Sequence, residues 1–131
     1  MTSITAQLKK IREKSEVKAE RVIRSTYFEV FNSVLFMSPR DSGLFESNWQ
    51  AGFSIDKSLK SNTGVGAVQV EISQELAKID FVNEQAFYFT NSLPYAYRLE
   101  NGWSEQAAHG MVGVVSAQFE TIAQGEINRF K

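Results

Sequence analysis

The sequence predicts an α+β domain in which a small antiparallel sheet packs against a long N-terminal helix and a C-terminal helix. Three observations support this fold class. Apolar residues recur at helical spacing from residue 3 to 38 without Gly or Pro, two short segments have the alternation or aromatic content of strands, and a second helical repeat covers residues 112–128. The chain has 131 residues, the size of one domain, so we expect residues 1–131 to fold as a single unit.

The first helix is expected to exceed 30 residues. Thr2 or Ser3 can cap its start, and Pro39 ends it, because the residue before a proline is pushed out of the α region. Residues 27–37 are apolar around most of the helix and belong in a core. Residues 1–24 carry a narrow apolar stripe flanked by charge, which predicts a basic, projecting part of the same helix.

The middle of the chain should supply the sheet. Residues 44–50 fit a short helical turn, and the next residues alternate as a half-buried strand would: Trp49, Ala51, Phe53 and Ile55. The aromatic segment 85–90 predicts a second strand. Between them, residues 66–79 are ambiguous. Val68, Val70 and Ile72 fit a strand, whereas Val68, Ile72, Leu76 and Ile79 fit a helix from about Val68, which we favour.

Two further helical segments are expected towards the C-terminus. Residues 95–99 should form one helical turn that is closed by Asn101 and Gly102. The last helix should run from about Val112 to Asn128, and its apolar residues should share one side: Val115, Phe119, Ile122 and Ile127.

The charge of the chain is unevenly distributed. Formal charge totals −1, but residues 1–24 hold seven Lys/Arg and three Glu for +4, which leaves −5 on the remainder. No Cys is present, so disulfide frameworks and thiolate metal sites are excluded. A hydrophobic content of 43% is that of a folded protein, and no apolar run approaches the length of a membrane span. We therefore expect cytosolic synthesis without a secretion signal.

The residue patterns of known catalytic sites are weak or missing. His109 is the only histidine and has no metal-ligating neighbour in sequence, so we expect a structural or exposed role. The carboxylate pairs Asp41 with Glu46 and Glu100 with Glu105 lie near turns, where capping is the commoner use. The glycines of residues 64–66 are too few for a phosphate loop. We predict no enzyme activity, cofactor, metal or small-molecule substrate.

The basic part of the first helix is a candidate binding element. Its cations are Lys9, Lys10, Arg12, Lys14, Lys18, Arg21 and Arg24, interrupted by three glutamates. The commonest meaning of such a pattern is a solvated helix face laced with salt bridges. Docking onto an acidic surface of a neighbouring copy and contact with a nucleic-acid backbone are the alternatives. The −5 remainder of the chain favours docking between copies, as in a head-to-tail ring.

Two segments carry a family resemblance. Residues 38–49, SPRDSGLFESNW, and residues 93–104, LPYAYRLENGWS, occur in this order behind a long N-terminal helix. Together they resemble the tail-completion proteins of tailed bacteriophages, which join head to tail and include minor tail protein Z-like chains. Relative to the family pattern, Asn48 is inserted before Trp49. The matching residues form the candidate scaffold and interface set: Pro39, Asp41, Ser42, Gly43, Leu44, Trp49, Tyr95, Ala96, Leu99, Glu100, Gly102 and Trp103.

The chemistry of these residues fits a scaffold. Asp41 and Ser42 can bond backbone N–H groups of the turn, Gly43 permits a positive φ, and Glu100 can accept from nearby backbone donors. Trp49 and Trp103 adjoin turns and are candidates for interface anchors, with core packing the commoner role.

The resemblance implies a non-enzymatic virion protein that forms a hexameric ring in the neck of the phage. Its partners would be copies of itself and the tail terminator, tail tube or head-connector proteins, with DNA in the lumen as a further candidate contact. It would occupy the host cytoplasm during assembly. The rival interpretations are a nucleic-acid-binding module that uses the basic helix and a small hydrolase that uses the carboxylates.

Overall fold

A computed structural model describes residues 4–40, 42–83, 86–102 and 104–131, with the side chains of residues 11 and 12 left out. Thr2, Ser3, Asp41 and Trp103 lie outside the described residues, as does the side chain of Arg12. The predicted α+β class is confirmed. The described residues form a long N-terminal helix, a two-stranded antiparallel sheet and C-terminal helices that pack against the N-terminal helix.

The N-terminal helix is continuous, as predicted. Helix α1 spans Ile4–Met37 and has 34 residues. It ends directly before Ser38 and Pro39, where the Ser38 hydroxyl donates to the Val34 carbonyl at 2.9 Å. The second half of the helix supplies the buried residues Val34 and Leu35 to the core. Because Pro39 lacks an N–H, the helix cannot add another backbone hydrogen bond at that position.

The sheet is shorter than the sequence pattern suggests. After helix α2 (Leu44–Ser47), strand β1 spans Trp49–Gly52 and pairs with β2 (Tyr88–Asn91), with Trp49 opposite Asn91 and Gly52 opposite Tyr88. The predicted alternation as far as Ile55 is wrong. All four residues of β1 are buried, because α3 covers the strand and the amide of Gln50 donates to the Ser58 carbonyl at 2.8 Å.

The ambiguous segment is a helix. Helix α3 spans Val65–Leu76, and it buries Val68, Ile72 and Leu76 at four-residue steps while Val70 stays exposed. The helical period therefore decides between the two patterns, and the helix starts three residues earlier than expected. Strand β2 begins at Tyr88 rather than at Gln85, which lies outside the described residues.

The C-terminal part contains more breaks than predicted. Helix α4 (Ala96–Glu100) is the expected helical turn, and a 3₁₀ turn follows at Glu105–Ala107. The expected helix over 112–128 is two helices, α5 (Val112–Ala117) and α6 (Phe119–Arg129), which meet at Gln118.

The break at Gln118 changes which residues of α6 face inward. Val115 is buried and Ile122 is half-buried, but Phe119 and Ile127 are exposed, so the predicted single apolar side is wrong. Instead, the Ser25 hydroxyl of α1 donates to the Glu126 carboxylate at 2.5 Å. This contact turns the Glu126 side of α6 towards α1.

Aromatic rings join the sheet to α1. Phe31 stacks on Phe89 at 4.6 Å, and Phe89 stacks on Trp49 at 4.9 Å. The Trp49 indole is buried, and its N–H donates to the Ser38 hydroxyl at 2.8 Å. Trp49 thus has a core role, and the hydrogen bond satisfies the one polar group of its side chain.

Candidate assembly surface

The first motif forms a tight loop between α1 and α2. Gly43 has φ 88°, the left-handed conformation that was predicted from the motif, and the Leu44 N–H donates to the Ser42 hydroxyl at 3.3 Å. Pro39 is buried, and Leu44 is half-buried against the core. These residues hold the chain reversal that follows the long helix.

An ion pair between the exposed Arg40 and the buried Glu46 closes this loop. The Arg40 guanidinium donates to both oxygens of Glu46, with Nε–Oε1 and Nη2–Oε2 distances of 2.8 Å, and the Glu46 side chain is 2% exposed. The hydrogen bond to Glu46 and its charge raise the pKa of Arg40. The negative charge of Glu46 is therefore balanced by the positive charge of Arg40, and the role of Glu46 is to hold the loop.

The second motif places a carboxylate against three backbone donors. Glu100, at the end of α4, accepts from the N–H groups of Met111, Val112 and Gly113 at 3.0, 2.9 and 3.0 Å. These N–H groups lie at the start of α5, where no carbonyl of the helix accepts from them. Glu100 therefore caps α5, although it lies in an earlier segment of the chain. Burial acts to raise the pKa of Glu100, but the three hydrogen bonds outweigh burial and lower it.

The other residues of the second motif surround this cap. Ala96 and Leu99 are half-buried against the core, whereas Tyr95 is largely exposed and its ring lies 6.1 Å from that of Phe45. Gly102 has φ 85°, and a Cβ there would lie 2.4 Å from the Ala108 carbonyl oxygen. Glycine is thus required at Gly102 by both conformation and space.

The first motif bonds to residues that flank the second, Asn91 and Gln106, although the two motifs lie about 55 residues apart in sequence. The Arg40 N–H donates to the Gln106 side-chain oxygen at 2.8 Å, and the Gln106 amide donates back to the Arg40 carbonyl at 3.2 Å. The Asn91 amide donates to the Phe45 carbonyl at 2.8 Å. The sequence did not predict this junction, because Gln106 lies outside both motifs.

Replacing Gln106 by Ala is expected to lower the free energy of unfolding by about 1 kcal/mol, since the two hydrogen bonds lie at the surface and water can replace them. Urea denaturation of the variant and of Gln124→Ala, an exposed glutamine on α6, measures the difference. Equal stability of the two variants would show that the junction contributes nothing.

A cluster of buried polar side chains was also missed. Asn48 donates to the carbonyls of Leu44 and Lys60 at 2.8 and 3.1 Å and accepts from the Lys60 N–H at 2.7 Å. The Ser47 hydroxyl donates to the Gly43 carbonyl at 2.8 Å and accepts from the Gly64 N–H at 2.9 Å. These bonds hold the irregular connector 53–64 against the body. The only signal in sequence was the run of three polar residues, Glu46, Ser47 and Asn48, between apolar Phe45 and Trp49.

The front of α1 is the least covered part of the fold. We call residues 4–21 the arm. Most of its described side chains are exposed, including the apolar Ile4, Leu8 and Val17 at 75%, 61% and 52%. Arg24 lies outside this exposed part. Its Nε donates to the Leu76 carbonyl at 3.2 Å, and its guanidinium lies 4.8 Å from the Phe81 ring centroid.

The arm borders a groove of about 740 Å³ that also touches the C-terminal residues Phe130 and Lys131. Its lining cations from the arm are Lys10, Lys14, Lys18 and Arg21, with Glu13 and Val17 between them. None of these four cations forms an ion pair with a carboxylate in the described part of the chain. Lys9 is exposed and lies outside the groove.

The remaining described residues that were considered for catalysis or metal binding lie at the surface. His109 is exposed, and Glu105 is exposed in the turn that Ser104 caps. Over residues 4–40, 42–83, 86–102 and 104–131, no group of three His, Asp or Glu side chains is placed to hold a metal ion. Within the same ranges no helix is long and apolar enough to cross a bilayer.

Comparisons with protein-family models, with curated proteins and with solved structures found no match to this chain.

Proposed function

We propose that the chain is a non-enzymatic virion subunit that assembles into a ring in the neck of a tailed phage, where it completes the tail and joins it to the head. The observation that carries the assembly part is the arm, a helix that leaves apolar side chains in water beside cations that pair with no carboxylate among the described residues. A monomer gains no stability from exposing Ile4, Leu8 and Val17, whereas a contact between proteins can bury them. The neck location rests on the two sequence motifs.

The use of the motif residues supports the same proposal. Glu46 is ion-paired with the Arg40 side chain and Glu100 caps α5, so both carboxylates have structural roles. The residues that look most like catalytic acids therefore stiffen the body that carries the arm. A ring repeats each weak contact at every interface, so modest affinity per contact is enough for stable assembly.

Replacing Leu8 and Val17 together by Ser is expected to reduce the molar mass of the concentrated protein, because the double variant removes apolar surface from the arm without changing charge. Light scattering across a concentration series measures this mass. Ile55→Ser/Leu59→Ser is the matched control, since it removes two exposed apolar side chains from the connector. An arm variant whose mass equals that of the control would contradict the proposal.

Nucleic-acid binding is the second candidate, favoured by the row of four cations along the groove. Contacts with phosphates release counterions, so such binding weakens steeply with salt. A gel shift with duplex DNA over a salt series distinguishes the two functions. Sub-micromolar, steeply salt-dependent binding by the isolated protein would favour the nucleic-acid module, and we expect none.

A further inference from the structure

The arm has two chemically different faces. The first, which we call the basic face, is the groove lined by Lys10, Lys14, Lys18 and Arg21 around Val17 and Phe130. The second, which we call the acidic face, lies beside the loop at residues 79–83 and combines Glu16 and Glu20 with Ile23, Phe81 and Val82. Asp80 adds a carboxylate in the adjoining cleft.

Val82 is the centre of the acidic face. Its side chain is 91% exposed, more than any other large apolar side chain in the described residues. The loop that carries it is held in shape by Asp80, whose carboxylate accepts from the Val82 N–H at 2.9 Å and from the Asn83 amide at 2.7 Å. A fixed loop loses little conformational entropy when it binds, so Val82 is suited to enter a groove on another molecule.

The two faces complement each other in charge. The basic face is a groove with four cations and one carboxylate, Glu13, around the apolar side chains of Val17 and Phe130. The acidic face carries the exposed Val82 beside Glu16 and Glu20, and although Glu20 pairs with Arg24 at 3.8 Å, carboxylates remain in excess there. Opposite potentials favour this pairing over contact between two identical faces, which would place like charges together.

The positions of the faces determine what kind of assembly they can form. At 3.6 residues per turn, the basic-face and acidic-face residues of α1 are separated by roughly 140° around the helix axis. Two different faces give a head-to-tail contact, and such a contact forms a ring when the rotation from one copy to the next closes.

We propose that the basic face of one copy binds the acidic face of the next, with Val82 seated against Val17 and Phe130 in the groove. The occupant of the groove is thus a second copy of this chain. This inference rests on the proposed assembly and names its contact. Duplex DNA is the other candidate partner of these cations, but it presents no apolar group comparable to the Val82 side chain for contact with Val17 and Phe130.

Cysteine cross-linking tests this contact, and the natural chain has no cysteine to interfere. Val17→Cys and Val82→Cys proteins, one of them carrying a size tag, are mixed and oxidised. We expect a mixed disulfide between them, and a yield about tenfold lower when Ile55→Cys replaces Val17→Cys. The double variant Val17→Cys/Val82→Cys should give a ladder of dimers, trimers and larger species, since each copy has both halves of the contact.

Charge reversal provides the second arm of the test. Lys14→Glu/Lys18→Glu should reduce the mixed disulfide about tenfold, whereas Lys57→Glu/Arg98→Glu, an equal charge change away from both faces, should leave it unaltered. Equal yields with Ile55→Cys, or a Val17→Cys protein that pairs mainly with itself, would overturn the proposal. The proposal would also be overturned if the protein formed no cross-link but bound duplex DNA through Lys14 and Lys18.

The outcome separates this inference from the proposed function. Rings seen by microscopy in the absence of the Val17–Val82 cross-link would leave ring assembly standing and overturn this contact. Absence of both rings and cross-link would overturn both.

Discussion

Replacing Glu100 by Ala is expected to lower the free energy of unfolding by about 2–3 kcal/mol, because three backbone N–H groups lose their acceptor at once. Glu100→Gln should cost less, since the amide oxygen can still accept from one or two of these donors. Urea denaturation measures both. Glu105→Gln, an exposed carboxylate five residues away, is the matched control and should match the wild type.

The lowered pKa of Glu100 adds a pH dependence to this result. A carboxyl whose pKa is lower in the folded state contributes its full stabilisation above the ordinary value of 4.5. That contribution is lost as the pH falls through the folded pKa. Glu100→Gln should therefore lose less stability than the wild type when the pH is lowered below 4.5. If the free energy of unfolding fell equally for the two proteins as the pH was lowered, the hydrogen bonds assigned to Glu100 would be contradicted.

Asn48→Ala is expected to cost about 2–3 kcal/mol and to loosen the connector 53–64, because Asn48 is fully buried and leaves the Lys60 backbone groups without partners. Trypsin should cleave at Lys57 and Lys60 faster in the variant than in the wild type. Asn128→Ala, at an exposed position on α6, is the matched control. Unchanged cleavage at both lysines would show that Asn48 does not hold the connector.

Asn48→Asp tests the donor side of the same site. The side chain keeps its shape, but its two amide N–H bonds to the Leu44 and Lys60 carbonyls are lost, and carboxylate oxygen faces carbonyl oxygen. We expect a loss of stability at least as large as that of Asn48→Ala at neutral pH. A stability equal to that of the wild type would contradict the buried hydrogen bonds.

The features predicted correctly depend on nearby residues. The length of α1 follows from the missing Gly and Pro and from Pro39, and α3 follows from the four-residue spacing of Val68, Ile72 and Leu76. The positive φ of Gly43 and the backbone bonds of Glu100 follow from residue types in two short motifs. The donors to Glu100 lie 11–13 residues further along the chain, and each of the other predictions needed information from within about one or two helical turns.

The features missed depend on contacts between distant segments. Strand β1 is buried on both faces because α3 and the connector cover it, and the alternation of its residues contains no sign of either. The break at Gln118 accompanies the contact between Ser25 and Glu126, about 100 residues apart. Asn48 looked like an insertion in a motif, yet it binds Lys60 of the connector. The two faces of the arm likewise needed Phe130 and Val82 from other parts of the chain.

Negative-stain microscopy of the concentrated protein, with light scattering for mass, tests ring assembly most directly. The proposed function predicts closed rings with a central hole, whose mass is a fixed multiple of the 14.8 kDa chain. Lys14→Glu/Lys18→Glu should abolish the rings, whereas Lys57→Glu/Arg98→Glu should retain them. A wild-type protein that remains a monomer at the highest soluble concentration, or forms only particles without a hole, would contradict it.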